Sequence, residues 1–435
     1  MLERPDLAVL GGRDGTPAGA EAVVAVGRGG RRKLRGRGSL RRFVTVPGPS
    51  EPQLVVPVDR KHVARYAIST WTAPVSPARR LRNELARLAA TFGVFPDLPR
   101  SLTVAAPPGP PFAVAAASPL GVPKDADWFL TLGQGDALTR AAFQLFAPGA
   151  AEPSWVLKLS RVPGYAAPFD RDERGLGLAA AAGREAAAHA PRLLGRFEAA
   201  GLPCSLETAA AGRRLTFLLQ GAARRDEKLR AIDAVATWTL AVARETAAPP
   251  ETLAEERARL ERTVLPQWPE VAGDLVARLP PLPGVLQHND LGCWNVVVGP
   301  RGFTAVDWES ARAHGLPLWD LLYFLVDALV HLDRAWEPDR REAHAARLLR
   351  GETESSAALF RWVRATVDAL ALPPEAVGSI VTLGWLHHGL SPVARDEAAR
   401  AHAPGLVSEG TFAEWMSRLW LREPGLGVGW SSWRS

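Results

Sequence analysis

The chain is poor in cysteine, lysine and asparagine and has no long apolar run, and each scarcity narrows what it can be. Its two cysteines, Cys204 and Cys293, stand in unrelated contexts, which argues against a disulfide framework or a paired-cysteine metal site. Cys293 is expected to be a small buried residue rather than a reactive thiol. The most apolar stretch, Leu316 to Leu332, carries Asp320 and Asp327 and is too short to span a bilayer, so it reads as a buried helix. The first residues lack a basic stretch followed by an apolar core, so no secretory signal is expected and a cytoplasmic location is the default. Five lysines stand against 47 arginines, so a cation here is Arg unless the position favours a compact ammonium. Only three asparagines occur, at 83, 289 and 295, and two of them share one short loop.

What is present is ordinary for a soluble globular protein: 47% apolar and 23% charged residues over 435 positions, enough for two or three domains. The net charge of +6 is concentrated in Arg28 to Arg42, which holds eight basic residues and no acid. Removing it leaves the rest near neutral, so residues 1–42 are expected to be a disordered basic Gly/Arg-rich tail. That tail has no interleaved aromatics, and nucleic acid is not expected as a partner.

The informative stretch runs from Val285 to Glu309, VLQHNDLGCWNVVVGPRGFTAVDWE. Short apolar runs at Val296 to Val298 and Phe303 to Val306 flank a Gly-Pro-Arg-Gly turn and predict a hairpin. His288, Asp290, Asn295 and Asp307 fall at the strand ends, where side chains can converge on a ligand. An Asp, an Asn five residues on and a second Asp twelve beyond that is the kinase arrangement. The first Asp handles the acceptor, and the Asn and second Asp offer hard oxygens to magnesium on ATP.

Further upstream, Phe129 to Leu132 and Thr139 to Phe146 read as strands around Gly133-Gln134-Gly135-Asp136. Glycines there would let backbone N–H groups approach phosphate oxygens. A third strand, Trp155 to Leu159, places Lys158 on the face opposite Trp155, Leu157 and Leu159.

These residues together resemble the aminoglycoside phosphotransferase and choline kinase family, the small-molecule branch of the protein-kinase-like fold. His288-Asn289-Asp290-Leu291 with Asn295 is similar to the catalytic loop, Asp307-Trp308-Glu309 stands where protein kinases carry Asp-Phe-Gly, and Pro317, Asp320 and Leu321 resemble the element that follows. The resemblance covers roughly residues 125 to 390 and implies an α+β, two-lobed fold with a small β-rich N-lobe, a large mainly helical C-lobe and an N-terminal extension. It implies Asp290 as catalytic acid/base, Asn295 and Asp307 as magnesium ligands, His288 as a loop-stabilising residue and Asp320 as the loop's brace. Lys158 would contact the ATP phosphates with Gly133 and Gly135, and pair with Glu173 on the next helix, Glu185 being the alternative. Backbone near Glu207 and Ala209 would meet adenine. With no Arg before Asp290, Glu309 in place of Gly and no Ala-Pro-Glu, the machinery for ordering an activation loop is missing, and a small-molecule acceptor such as a sugar, aminoglycoside or amino alcohol is favoured. The rival expectation is a non-catalytic, kinase-like nucleotide-binding module.

The expected divisions are residues 1–42 as tail, 43–123 as an accessory subdomain or an N-terminal elaboration of the small lobe with an extended Pro-rich connector at 107–123, 124–212 as nucleotide-binding N-lobe and 213–435 as C-lobe. Helices are expected at Lys61 to Ile68, Pro77 to Phe92, Asp170 to Ala182, Arg225 to Thr246, Glu251 to Val264, Trp319 to Leu332, Glu342 to Leu349, Ser355 to Leu370 and Pro374 to His388. The Trp-rich end from Leu406 either covers the acceptor pocket or docks on the large lobe. His387 and His388 are adjacent and cannot form a metal pair on one helix face, so packing is expected of them.

Overall fold

A computed structural model describes residues 23–26, 39–46, 53–72, 77–92, 101–106, 109–132, 138–268, 275–390, 419–423, 426 and 430–434. The chain forms two compact units, an antiparallel-sheet unit up to Phe169 together with Pro191–Arg213, and a mainly helical unit containing Asp170–Ala190 and most of the chain after Arg214. The division into sheet and helices is the one expected of the α+β class.

The first unit is built on one nine-stranded sheet. Its strands are β1 (Val23–Val26), β2 (Ser39–Val46), β3 (Leu54–Pro57), β4 (Ser101–Ala106), β5 (Asp127–Leu132), β6 (Ala141–Phe146), β7 (Trp155–Leu159), β8 (Leu193–Ala199) and β9 (Leu202–Thr208), in the order β1-β4-β2-β3-β5-β6-β7-β9-β8. Every pairing is antiparallel. Helices cover both faces, which explains why β5 reads as a continuous apolar run rather than an alternating one. Trp128, Leu130 and Leu132 join a core with Phe143, Leu157 and Leu206 and with Ala113 and Val114 of α3 (Phe112–Ala116). Phe129 points the other way and packs with Phe146, Val63 and Tyr66, the last two from α1 (Lys61–Thr70). The helix α2 (Pro77–Phe92) follows α1 with the bounds expected from its leucine spacing.

Two expectations for this unit fail. The segment 1–42 is not wholly an irregular tail, because Val23–Val26 pairs with β4 and Ser39–Arg42 extends β2 along the same strand. Its charge obscured short β-branched and aromatic runs that complete a sheet. The Pro107 to Pro123 stretch is likewise not a plain connector, since Phe-Ala-Val-Ala-Ala forms α3 between the prolines. The strands within residues 43–123 continue the sheet that holds β5 to β9.

In the second unit come α4 (Ala167–Ala182, from Asp170 onward), α5 (Arg225–Glu245), α6 (Ala254–Arg259), α7 (Trp319–Leu332), α8 (Pro338–Leu349), α9 (Ser356–Ala369) and α10 (Val377–His388). Between them lie β10 (Val285–Gln287), β11 (Val296–Gly299), β12 (Gly302–Ala305) and β13 (Arg312–Gly315); β11 and β12 form the expected hairpin, and β10 pairs with β13. Helix α7 is buried nearly all round, the pattern of a central core helix. Trp319 at its start donates to the Ile380 carbonyl of α10 at 2.7 Å, and a Cβ on Gly384 would lie 2.9 Å from the Trp319 ring, so glycine permits this close crossing. The described part of the Trp-rich end docks on this unit. Trp430 donates to Leu349 O at 3.0 Å, Arg364 donates to Trp433 O at 2.9 Å, and Trp420, Trp430 and Trp433 are buried. Among the described residues no helix is long and apolar enough to cross a membrane.

Phe143 and Leu157 are fully buried at paired positions on β6 and β7. Phe143→Ala should destabilise the fold by about 3–5 kcal/mol and Leu157→Ala by about 2–5 kcal/mol, measured by chemical denaturation.

Candidate active site

The helical unit brings the predicted loop residues together through two devices, a hairpin and a helix. Register in the hairpin pairs Val296 with Ala305, so Asn295 and Val306 lie opposite one another just beyond it. Val306 N–H donates to Asn295 O at 2.8 Å, which fixes Asp307 beside the asparagine. Asp307 adopts φ 71°, in the left-handed region that Asp and Asn tolerate better than other side chains. The turn is supported by close packing from α4, where a Cβ on Gly175 would lie 1.9 Å from the Trp308 carbonyl oxygen.

Helix α7 supplies the second device. Asp320 accepts the backbone N–H of His288 at 2.6 Å and of Asn289 at 2.8 Å. Three residues on, Tyr323 hydrogen-bonds the Asp290 carboxylate. One turn further, Asp327 accepts Cys293 N–H at 2.7 Å. These three polar side chains at spacings of three and four lie along one face of an otherwise apolar helix. All of them meet the 288–293 segment, so the loop's backbone donors are answered by fixed acceptors.

Asp290 itself is held by Asn295, whose Nδ2 lies 2.9 Å from both the Asp290 carbonyl and its Oδ2. Burial, then the charges of Asp307 and Glu309, raise its carboxyl well above the ordinary range. Burial also raises Asp320, to about 6, against the lowering effect of its two N–H donors. His288 is driven the opposite way, to about 4, chiefly by burial, so its ring is neutral at pH 7. Its Nε2 sits 3.1 Å from Val306 O and therefore carries the proton, tying the loop to the strand that leads into Asp307. Cys293 is buried, with its thiol pushed well up by burial, which makes it a packing residue.

Crowded carboxylates are what a bound cation would relieve. Among the described residues no three His, Cys, Asp or Glu side chains are grouped to hold a metal. Asp307 and Asn295 are the residues that could offer a divalent ion one carboxylate and one amide oxygen. Such a sparse, hard-oxygen set fits magnesium completed by phosphate and water better than a self-sufficient protein cage.

In the sheet unit, Lys158 on β7 lies 2.8 Å from Glu207 Oε1 on β9. Lys158 is paired with Ser205 and Val156 with Glu207, which makes the two charged residues diagonal neighbours on one face. With side chains 12% and 3% exposed, this is a largely desolvated pair. Within the sheet unit the lysine therefore has a carboxylate partner on the neighbouring strand. The burial register of α4 runs through Asp172, Gly175, Leu176 and Ala179, leaving Glu173 exposed. Buried Asp172 is close enough for its charge to act on His288. Ala209 N–H donates to Ser154 O at 3.0 Å, and the Glu207 side chain meets Lys158. Gly133 and Gly135 lie outside the described residues.

Sequence reasoning missed Tyr323 and Asp172. Each carried a signal: Tyr323 is spaced between Asp320 and Asp327, and Asp172 falls in helical phase with Leu176 and Ala179. Asp320→Asn keeps the shape but presents an NH2 group to one of the two loop N–H donors. It should cost about 1–3 kcal/mol in denaturation, the penalty for one buried donor left unanswered.

No family model matches this sequence, and no curated protein matches it. Among solved structures it is similar to a Ralstonia eutropha JMP134 protein described as a candidate aminoglycoside phosphotransferase, at 13% identity and TM-score 0.41, covering 74% of this chain and 97% of the other. It is also similar to an aminoglycoside-3'-phosphotransferase of type VIII, at 18% identity and TM-score 0.33 over 58% of this chain and 99% of that one. Aminoglycoside phosphotransferase APH(3'')-Id from Streptomyces rimosus ATCC10970 matches at 19% identity and TM-score 0.34, over 60% and 98% of the respective chains.

Proposed function

We propose that this chain is an ATP- and magnesium-dependent phosphotransferase that moves the γ-phosphoryl group to a hydroxyl of a small molecule. The observation that carries this reading is the meeting of Asp290, Asn295 and Asp307 at one hairpin and one braced loop. Phosphoryl transfer needs positioning and charge neutralisation more than covalent chemistry from the protein, and that is what such an arrangement can provide. Asp290 orients the acceptor hydroxyl. As the acceptor oxygen bonds to the γ-phosphorus, the bond to the β–γ bridging oxygen breaks, ADP departs and the hydroxyl proton passes to Asp290. Magnesium, held by Asn295 and Asp307, would neutralise phosphate charge. Lys158, oriented by Glu207, is the cation assigned to the phosphates, and a cytoplasmic location goes with dependence on ATP.

The test is ADP release with sugar, aminoglycoside and amino-alcohol acceptors. Asp290→Ala should keep nucleotide affinity and lose about a hundredfold to ten-thousandfold in turnover. Unchanged turnover in that variant removes Asp290 from the mechanism. Asp307→Ala should weaken nucleotide binding in the presence of magnesium and leave metal-free binding alone, as read by calorimetry.

The pH dependence has a definite sign. Asp290 works ionised, and its neighbours favour the protonated form, so kcat/KM should rise with pH through a limb above the usual carboxylate range. Glu309→Gln removes one of the like charges and should move that limb to lower pH.

A further inference from the structure

On the side of the catalytic loop facing α6 and α10, the charge balance reverses. His387 Nδ1 lies 3.4 Å from Arg259 Nη1, and its Nε2 lies 3.0 Å from the side-chain amide of Asn289, the residue before Asp290. A guanidinium only donates, so Nδ1 accepts and the proton of the neutral ring sits on Nε2. Nε2 then donates, a pairing that requires the Asn289 amide in the orientation opposite to the one that puts Nδ2 3.0 Å from it. Arg259 is in this way two hydrogen bonds from the loop that carries the catalytic acid.

Arg259 also grips Glu256 in a fork, at 2.6 and 2.8 Å. Arg312 on β13 reaches the same carboxylate at 3.6 Å. Burial weighs most against the charge of Arg312, Glu256 supports it, and Arg259 and Arg174 oppose it. One buried carboxylate therefore serves two guanidinium groups, with a third cation near.

Several polar atoms around this loop are buried and unanswered among the described residues. Arg312 Nε and Nε2 of His388, a residue only 4% exposed, are two of them, beside Gln287 Oε1, His288 Nδ1 and Asn289 Oδ1. His388 stacks on Tyr323 with ring centroids 4.3 Å apart, and Tyr323 is the hydrogen-bond partner of Asp290. Buried polar groups rarely stay unpaired, and an excess of half-buried guanidinium calls for an anion.

We infer that the acceptor is a small hydroxyl compound bearing an anionic group, carboxylate or phosphate, which Arg312 and Arg259 hold while the hydroxyl faces Asp290. This rests on the phosphotransferase reading and narrows its acceptor class. Guanidinium forks match the planar oxygens of carboxylate and phosphate, and the same cations repel a polycationic acceptor.

The test is ADP release from ATP with matched acceptors that share one hydroxyl skeleton: a hydroxy acid, the corresponding phosphate ester, the neutral amide and the cationic amine. One of the two anionic acceptors should exceed the amide at least tenfold in kcat/KM, with the amine lowest, and comparison of those two arms identifies the anion. Arg312→Gln should lose at least tenfold for that acceptor through KM, Arg312→Lys should recover part of it, and the acceptor should raise the melting temperature of the wild type but not of Arg312→Gln. Equal or better transfer to the amide or the amine overturns this inference and leaves the phosphotransferase reading intact. Transfer to none of the four, nor to the sugars and aminoglycosides, overturns both.

Discussion

The loop between His288 and Cys293 has no regular secondary structure to satisfy its backbone, and the carboxylates of α7 do so instead. Asp320 takes two N–H groups and Asp327 a third, while Tyr323 between them holds the Asp290 side chain. A loop answered by side chains from one rigid helix can display its own side chains without losing its shape. The cost is two carboxylates inside a core helix, tolerable because each is hydrogen-bonded.

Around this frame, charge is sorted by position. Acids crowd the hairpin side, where burial and then the charges of Asp307 and Glu309 favour the protonated form of Asp290. Guanidinium groups gather beyond Asn289 and His387. Between the two stand imidazoles that burial keeps neutral, His288 near 4 and His388 near 3. Neutral rings can bridge opposite fields without adding a charge that either side would have to offset.

Much of this was legible in the sequence because it rests on local pattern. The hairpin followed from two apolar runs around a Gly-Pro-Arg-Gly turn, and α7 from an apolar stretch whose two aspartates stood out. Long-range pairing was less legible. Glu207 reaches Lys158 because β9 happens to lie beside β7, and no spacing along the chain reports that neighbour. On α4 the choice of Glu173 over Glu185 followed a family spacing, while the leucine and alanine phase of the helix marks Asp172 as its buried acid. The N-terminal strands were hidden by composition, since a run of arginines and glycines dominates any average taken over the first 42 residues.

The brace on α7 also ties function to folding. A helix buried on nearly every side opens only when the surrounding core does, and the loop amides of His288, Asn289 and Cys293 are bonded to that helix rather than to a neighbouring strand. Their exchange with solvent is therefore coupled to the most protected cooperative unit of the helical half, and not to the shallow fraying usual for surface connections.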